Sequence, residues 1–242
     1  MKIIISPSKT KKISKLKGIE EYKNPLFPHI TDKIINEISK MNETEIEKKF
    51  KLKKEQAEKL LKFYRNFENE GYGHALSTYT GIAYKTMNVN DFNKNDLNFA
   101  QEHLVILSAL YGILTPFSIL KEYRLDMTNS IFNNKSLYEL WKKDINDYFK
   151  NEKCIINLAS KEYSKILNLE NMYNLEFYDK KDGKLKQIST NSKKMRGFTV
   201  NHIVKNRITD IEQLKNISLK EYKYNEKMSD GKKYIYITND VC

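Results

Sequence analysis

Residues Leu104-Val105-Ile106-Leu107 form an unbroken apolar run rich in branched side chains. A strand of this kind is buried on both faces, so the sheet that holds it needs helices packed on each side. Lys2 to Ser6 and Cys154-Ile155-Ile156-Asn157-Leu158 have the same character. Between these strands the apolar spacing turns helical. From Thr31 to about Asn69 it runs through Ile34, Ile35 and Ile38, then Ile46, Phe50 and Leu52, then Ala57, Leu60, Leu61 and Tyr64. Thr31, and Asn42 ahead of Glu45, read as N-caps, with turns near Met41-Asn42 and Lys51-Leu52-Lys53. Residues 91–102 and 136–150 also read as helices, the second burying Leu137, Leu140, Trp141, Ile145 and Tyr148. Lys181-Asp182-Gly183 signals a hairpin between strands at 175–178 and 184–189, followed by a helix over 191–208 and a last strand over 233–238. Helical crossovers with an added hairpin predict an α+β fold: one domain whose mixed β-sheet is wrapped by helices. No Gly/Ser/Pro-rich linker divides the 242 residues.

Parallel strands gather functional groups at their carboxyl ends, and three such ends carry polar residues. The first delivers Ser6, Ser8, Lys9 and Thr10, hydroxyls and an ammonium beside free backbone N–H groups, which suits a phosphate or carboxylate. The segment lacks the glycines of a Walker loop, and a plain polar turn is the competing reading. The second end brings Ser108 and Tyr111, a permissive Gly112, and then Tyr123 and Arg124. Arg124 lies between apolar neighbours, so it is expected either to pair with Asp126 or Glu122 or to face a cleft that binds an anion. After the third strand, Ser160 is placed to cap a helix starting at Lys161, leaving Lys161, Glu162 and Tyr163 as candidates for the same cleft as Lys9.

Charge narrows the partner. Forty-three basic against thirty-one acidic residues leave +12, which points to a polyanion, although abundant Lys, Asn and Ile also reflect an AT-rich genome. The excess concentrates between Lys181 and Arg207, where Lys181, Lys184, Lys186, Lys193, Lys194, Arg196, Lys205 and Arg207 face Asp182 alone. On a helix, Lys193, Arg196 and Gly197 share one face, and Gly197 admits a close-lying backbone or ligand. Phosphate contact is the expected role, against a merely solvated face. The first seventeen residues add further lysines and no acid, so the two regions are expected to build one basic cleft.

Six segments, in order, resemble the YaaA family of bacterial peroxide-stress proteins: Ile5-Ser6-Pro7-Ser8-Lys9-Thr10, Tyr79-Thr80-Gly81, residues 107–116, Tyr123-Arg124-Leu125-Asp126-Met127, residues 157–163 and Lys193-Lys194-Met195-Arg196-Gly197. The resemblance implies a single α+β domain, a cytoplasmic location, and DNA binding tied to survival of oxidative stress. Within residues 31–69, the stretch from Glu45 to Tyr64 has the rhythm of a helix-hairpin-helix, with Ala57 where that motif packs an alanine. Its Gly-x-Gly turn is replaced by Lys51-Leu52-Lys53, so Lys51, Lys53 and Lys54 would supply any phosphate contacts. An ordinary amphipathic helix pair explains the same pattern.

Other chemistries lack support. His29, His74, His103 and His202 are scattered and Cys154 and Cys242 lie far apart, so neither a metal site nor a disulfide framework nor a cofactor is expected. The opening apolar run is too short for a signal peptide, and no stretch approaches a membrane span. Two functions remain: a protein that holds double-stranded or distorted DNA by its phosphates, or an enzyme acting on a nucleoside, nucleotide or damaged base in a pocket at the strand ends. A deep pocket holding Lys9 and Arg124 would favour the second, and an open basic stripe the first.

Overall fold

The computed structural model describes residues 1–238, so Cys242 lies outside the described residues. The strands are β1 (Lys2–Ile5), β2 (Gly73–His74), β3 (Leu104–Ser108), β4 (Gly112–Leu114), β5 (Ile119–Leu120), β6 (Ile155–Leu158), β7 (Met172–Lys181), β8 (Lys184–Lys186), β9 (Ser218–Leu219), β10 (Tyr222–Tyr224) and β11 (Lys233–Thr238). The helices are α1 (Pro28–Ser39), α2 (Glu43–Phe50), α3 (Lys54–Arg65), α4 (Ala75–Thr78), α5 (Ile82–Met87), α6 (Lys94–His103), α7 (Leu137–Phe149), α8 (Lys161–Ser164) and α9 (Ser189–Asn206). Nine strands form one mixed sheet in the order β4-β3-β1-β6-β7-β11-β10-β9, with β8 paired to β7; β2 and β5 make a separate two-stranded ribbon. The central strands β3, β1, β6, β7 and β11 are parallel, and antiparallel strands finish both edges.

The three all-apolar runs sit where their composition demands. Ile3 pairs with both Leu104 and Ile156 at the centre of the sheet, and every residue of β3 and β6 is buried. At the β3–β4 turn Gly112 takes φ +69°, and a Cβ there would lie 2.6 Å from the Trp141 ring. The indole Nε1–H of Trp141 donates to the Ala109 carbonyl at 2.9 Å. The Asp182-Gly183 hairpin forms as its sequence predicts, both residues having positive φ as a two-residue turn requires.

Capping boxes form at Asn42–Glu45 and Ser136–Glu139. Thr31 is no cap. Pro28 occupies the first helical turn, where its fixed φ is favourable and its missing N–H costs nothing. Thr31 is therefore buried inside α1 and donates to the Leu110 carbonyl at 3.1 Å. The basic run is also less open than its sequence reads. The buried Asp96 of α6 binds Lys205 at 2.8 Å and Arg207 at 3.3 Å, fastening the end of α9.

His74 is a core residue. Its Nδ1 accepts from the Leu16 N–H at 2.9 Å, which leaves Nε2 to donate to the Glu21 carbonyl, and Tyr22 stacks on the ring at 4.1 Å. Burial lowers its pKa from the ordinary 6.5, the Glu21 carbonyl opposing. The unfolded chain therefore takes up a proton that the folded chain refuses, and His74 should weaken the fold as pH falls through about 6.5. Urea unfolding at pH 7.5 and 5.5 checks this: His74→Gln should show a smaller acid loss than the unaltered chain, and equal losses would refute it.

Candidate functional site

Because β1, β3 and β6 run parallel, their carboxyl ends meet at one edge of the sheet. Ser6, Ser108 and Ser160 stand at those ends. Ser6 and Ser160 are linked directly: the Ser160 N–H donates to Ser6 Oγ at 2.8 Å, and Ser6 Oγ donates to Ser160 Oγ at 3.2 Å. Ser160 occupies the position before α8, yet its hydroxyl makes no capping bond. The capping expected of it is thus replaced by a tie between two strand ends.

Ser108 anchors a buried hydroxyl chain. The Tyr111 N–H donates to its Oγ at 3.1 Å; Ser108 Oγ lies 2.8 Å from Tyr123 OH, which lies 3.1 Å from Tyr79 OH. Tyr111 packs edge-on against Tyr123 at 5.5 Å. Burial raises the Tyr123 phenol to about 12, partly offset by the bonds from Ser108 and Tyr79, so the chain stays neutral. Tyr123→Phe deletes its middle link, taking that partner from the buried Tyr79 hydroxyl and leaving Ser108 Oγ with the Tyr111 N–H, a cost of about 1–3 kcal/mol. A lowered urea midpoint with unchanged slope would register it; an unchanged midpoint would mean that the chain contributes nothing.

Above this floor opens a pocket of about 580 Å³. Its wall includes Ser6, Ser8, Lys9, Thr10 and Lys11 from the loop after β1, Gly81–Tyr84 at the start of α5, residues 123–126, Ser160, Glu162 and Tyr163 around α8, and Lys193 and Arg196 of α9. Lys9 and Arg124 thus share one cavity. The route differs from a shared sheet edge: Arg124 follows the short strand β5, outside the main sheet, and the segment from Lys121 to Met127 carries it to the pocket.

The expected partners of Arg124 are engaged elsewhere. Asp126 pairs with Lys9 at 2.8 Å, and Glu122 accepts from the Ile13 N–H at 2.7 Å. Arg124 itself is exposed on the pocket wall, and among the described residues no carboxylate lies within ion-pair distance of it. Lys11 was not singled out by its sequence, where it is one lysine among many. An antiparallel bridge to Tyr79 fixes its backbone, and its ammonium lies 4.3 Å from the Tyr123 ring centroid and 5.5 Å from that of Tyr79. Burial lowers it to about 8, with Asp126 and Glu122 opposing and Arg124 adding to the shift. The signal that could have found it is the Tyr79-Thr80-Gly81 segment opposite: Gly81 leaves room for Ser8, whose Oγ would lie 2.2 Å from any Cβ there.

The remaining candidates separate. Lys193 and Arg196 line the pocket; Lys194 is exposed outside it, its carbonyl accepting from Thr86 Oγ1 at 3.0 Å. Gly197 faces α5, where a Cβ would stand 2.1 Å from the Ala83 carbonyl oxygen, so the close approach it permits is helix to helix. Arg196 also borders a neighbouring cavity of about 270 Å³ that includes Lys161, Asn157 and Glu176, and its Nε is buried with no hydrogen-bond partner among the described residues. Lys51, Lys53 and Lys54 are exposed at the α2–α3 turn, with Lys51 at φ 53°, and none lines either cavity. Among the described residues no group of three or more His, Cys, Asp or Glu side chains is placed to hold a metal ion. No helix among them is long and apolar enough to cross a membrane.

The sequence model of the family described as peroxide stress protein YaaA matches residues 1–228. The chain belongs to the YaaA peroxide-stress family. A UPF0246 protein of Fusobacterium nucleatum is 39% identical over 245 residues, covering 98% of each chain. One from Finegoldia magna is 39% identical over 259 residues, covering 100% of this chain and 99% of its own. One from Rickettsia felis is 33% identical over 247 residues, covering 98% and 99%. The match therefore runs through all the pocket segments of this YaaA-family chain, from the loop after β1 to α9.

Proposed function

We propose that this chain is a cytoplasmic DNA-binding protein of the peroxide-stress response, one that holds phosphates with a basic pocket and takes a displaced nucleotide unit into it. The observation carrying this reading is the convergence of Lys9, Lys11, Arg124, Lys193 and Arg196 on one cavity that also contains Tyr84, Tyr123 and Tyr163. Cations suit the phosphate, and tyrosine rings suit a base or sugar. The volume lies in the range that encloses a small ligand. A concave pocket also favours one unit drawn out of distorted DNA over a flat duplex, because an unpaired nucleotide is already free of its stack.

The test compares a fully paired duplex with one carrying a single unpaired nucleotide. The second should bind at least about tenfold more tightly, since unpairing costs a few kcal/mol and each 1.4 kcal/mol is about tenfold. Lys9→Ala and Arg124→Ala should then be non-additive toward the distorted duplex, with a coupling of about 0.5–3 kcal/mol. Equal affinity for the two duplexes, together with strictly additive losses, would reject the pocket as the binding site.

A further inference from the structure

Two carboxyl groups line the pocket in unlike settings. Asp126 is the ion-pair partner of Lys9 at 2.8 Å. Glu162 has one oxygen, Oε1, buried without a hydrogen-bond partner among the described residues. Burial, and then the charge of Asp126, push the Glu162 carboxyl up from its ordinary range; Lys9, the Met127 amide and Lys165 pull it back. Tyr163 beside it is buried and neutral. A half-buried carboxyl shifted toward its protonated form, in the same pocket as one held in an ion pair, is the arrangement that divides acid from base in glycosidic cleavage. Phosphate and carboxylate repel each other, so Arg124, Lys193 and Arg196 suit the phosphate end of a bound nucleotide while Asp126 and Glu162 suit its sugar and base.

We propose that this pocket hydrolyses the N-glycosidic bond of a nucleotide unit, with Glu162 as general acid and Asp126 as the carboxylate facing the sugar. The inference rests on the nucleotide-binding reading above. As the bond from C1′ to the base nitrogen breaks, its electron pair stays with the nitrogen, which takes the Glu162 proton. Asp126 offsets the positive charge developing on the sugar. A water molecule then adds its oxygen to C1′ and yields a proton to Asp126, and exchange with solvent returns a proton to Glu162. The sum is nucleotide plus water giving free base plus a sugar hydroxyl, with no oxidant or reductant required.

The full chain is incubated with DNA oxidised by hydrogen peroxide and, separately, with free deoxynucleoside 5′-monophosphates bearing intact or 8-oxidised purines; released bases are measured by mass spectrometry. Release from DNA alone assigns the substrate to the polymer, and release from the monophosphates alone assigns it to free nucleotides; both support hydrolysis. Glu162→Gln should slow release about a hundredfold or more. The unaltered chain should lose activity as rising pH deprotonates Glu162, and Glu162→Gln should lack that limb. Asp126→Asn provides a second variant, so a failure of one to fold does not end the test. No base released in either arm by a chain that binds duplex, or release unchanged in both variants, overturns the proposal. Absence of duplex binding at low salt overturns the DNA reading instead, and the monophosphate arm still reports on the chemistry.

Discussion

Duplex affinity should fall about a thousandfold between about 50 and 200 mM salt, the loss expected when roughly six cations displace counterions from phosphates. The pocket and its rim provide that number: Lys9, Lys11, Arg124, Lys193 and Arg196 line it and Lys194 stands next to it on α9. Lys9 should contribute least, since it must first be released from Asp126. Changing Lys193, Lys194 and Arg196 together to alanine should lower the slope of log affinity against log salt by about two to three. The triple change at Lys51, Lys53 and Lys54 should leave the slope as it was, because these residues lie away from both cavities. The reverse pattern would move the interface to the α2–α3 turn and leave the pocket without a role in holding the duplex.

Gly197→Ala should destabilise the fold, against the usual sign for a glycine inside a helix. Replacement by alanine in an exposed helix normally stabilises by up to about 1 kcal/mol. Here the new Cβ would stand 2.1 Å from the Ala83 carbonyl oxygen and 2.1 Å from Thr86 Oγ1. The hydroxyl can rotate; the carbonyl belongs to the backbone of α5, so the two helices must part. Overpacking of this kind costs about 1–3 kcal/mol, and the upper end corresponds to a Tm lower by about 6–12 °C in a chain of this size. Because Ile82, Ala83 and Tyr84 of α5 line the pocket, nucleotide affinity should fall with stability. A Tm equal to or above that of the unaltered chain would show that α5 and α9 are not in close contact at Gly197.

Much of this fold was legible because its central strands are apolar on both faces, a pattern only a helix-covered sheet accommodates. The runs at Ile3, Leu104 and Ile155 declared their environment without help from distant residues, as did the local signals Asn42–Glu45 and Asp182-Gly183. Pairings that depend on another segment were not legible. Thr31 looked like a cap until Pro28 took the first turn, and Ser160 looked like a cap until Ser6 reached it. Arg124 was offered two neighbouring carboxylates, and both proved to be engaged, one by Lys9 and one by the Ile13 amide. Lys11 was invisible for the same reason: its setting is made by Tyr79 and Tyr123, and a lysine-rich chain gives no cue for which ammonium will be buried.

The place of β1 in the sheet sets a timetable for synthesis. β1 leaves the ribosome before both of its neighbours, β3 on one side and β6 on the other, so its second neighbour is complete only at Leu158. At roughly 5–20 residues per second, that delay is on the order of ten seconds or more. Until then at least one edge of the apolar Ile3-Ile4-Ile5 ribbon lacks its partner. Newborn chains arrested before Leu158 are therefore the form most exposed to chaperones and aggregation, and chains released after it have both partners of β1 available.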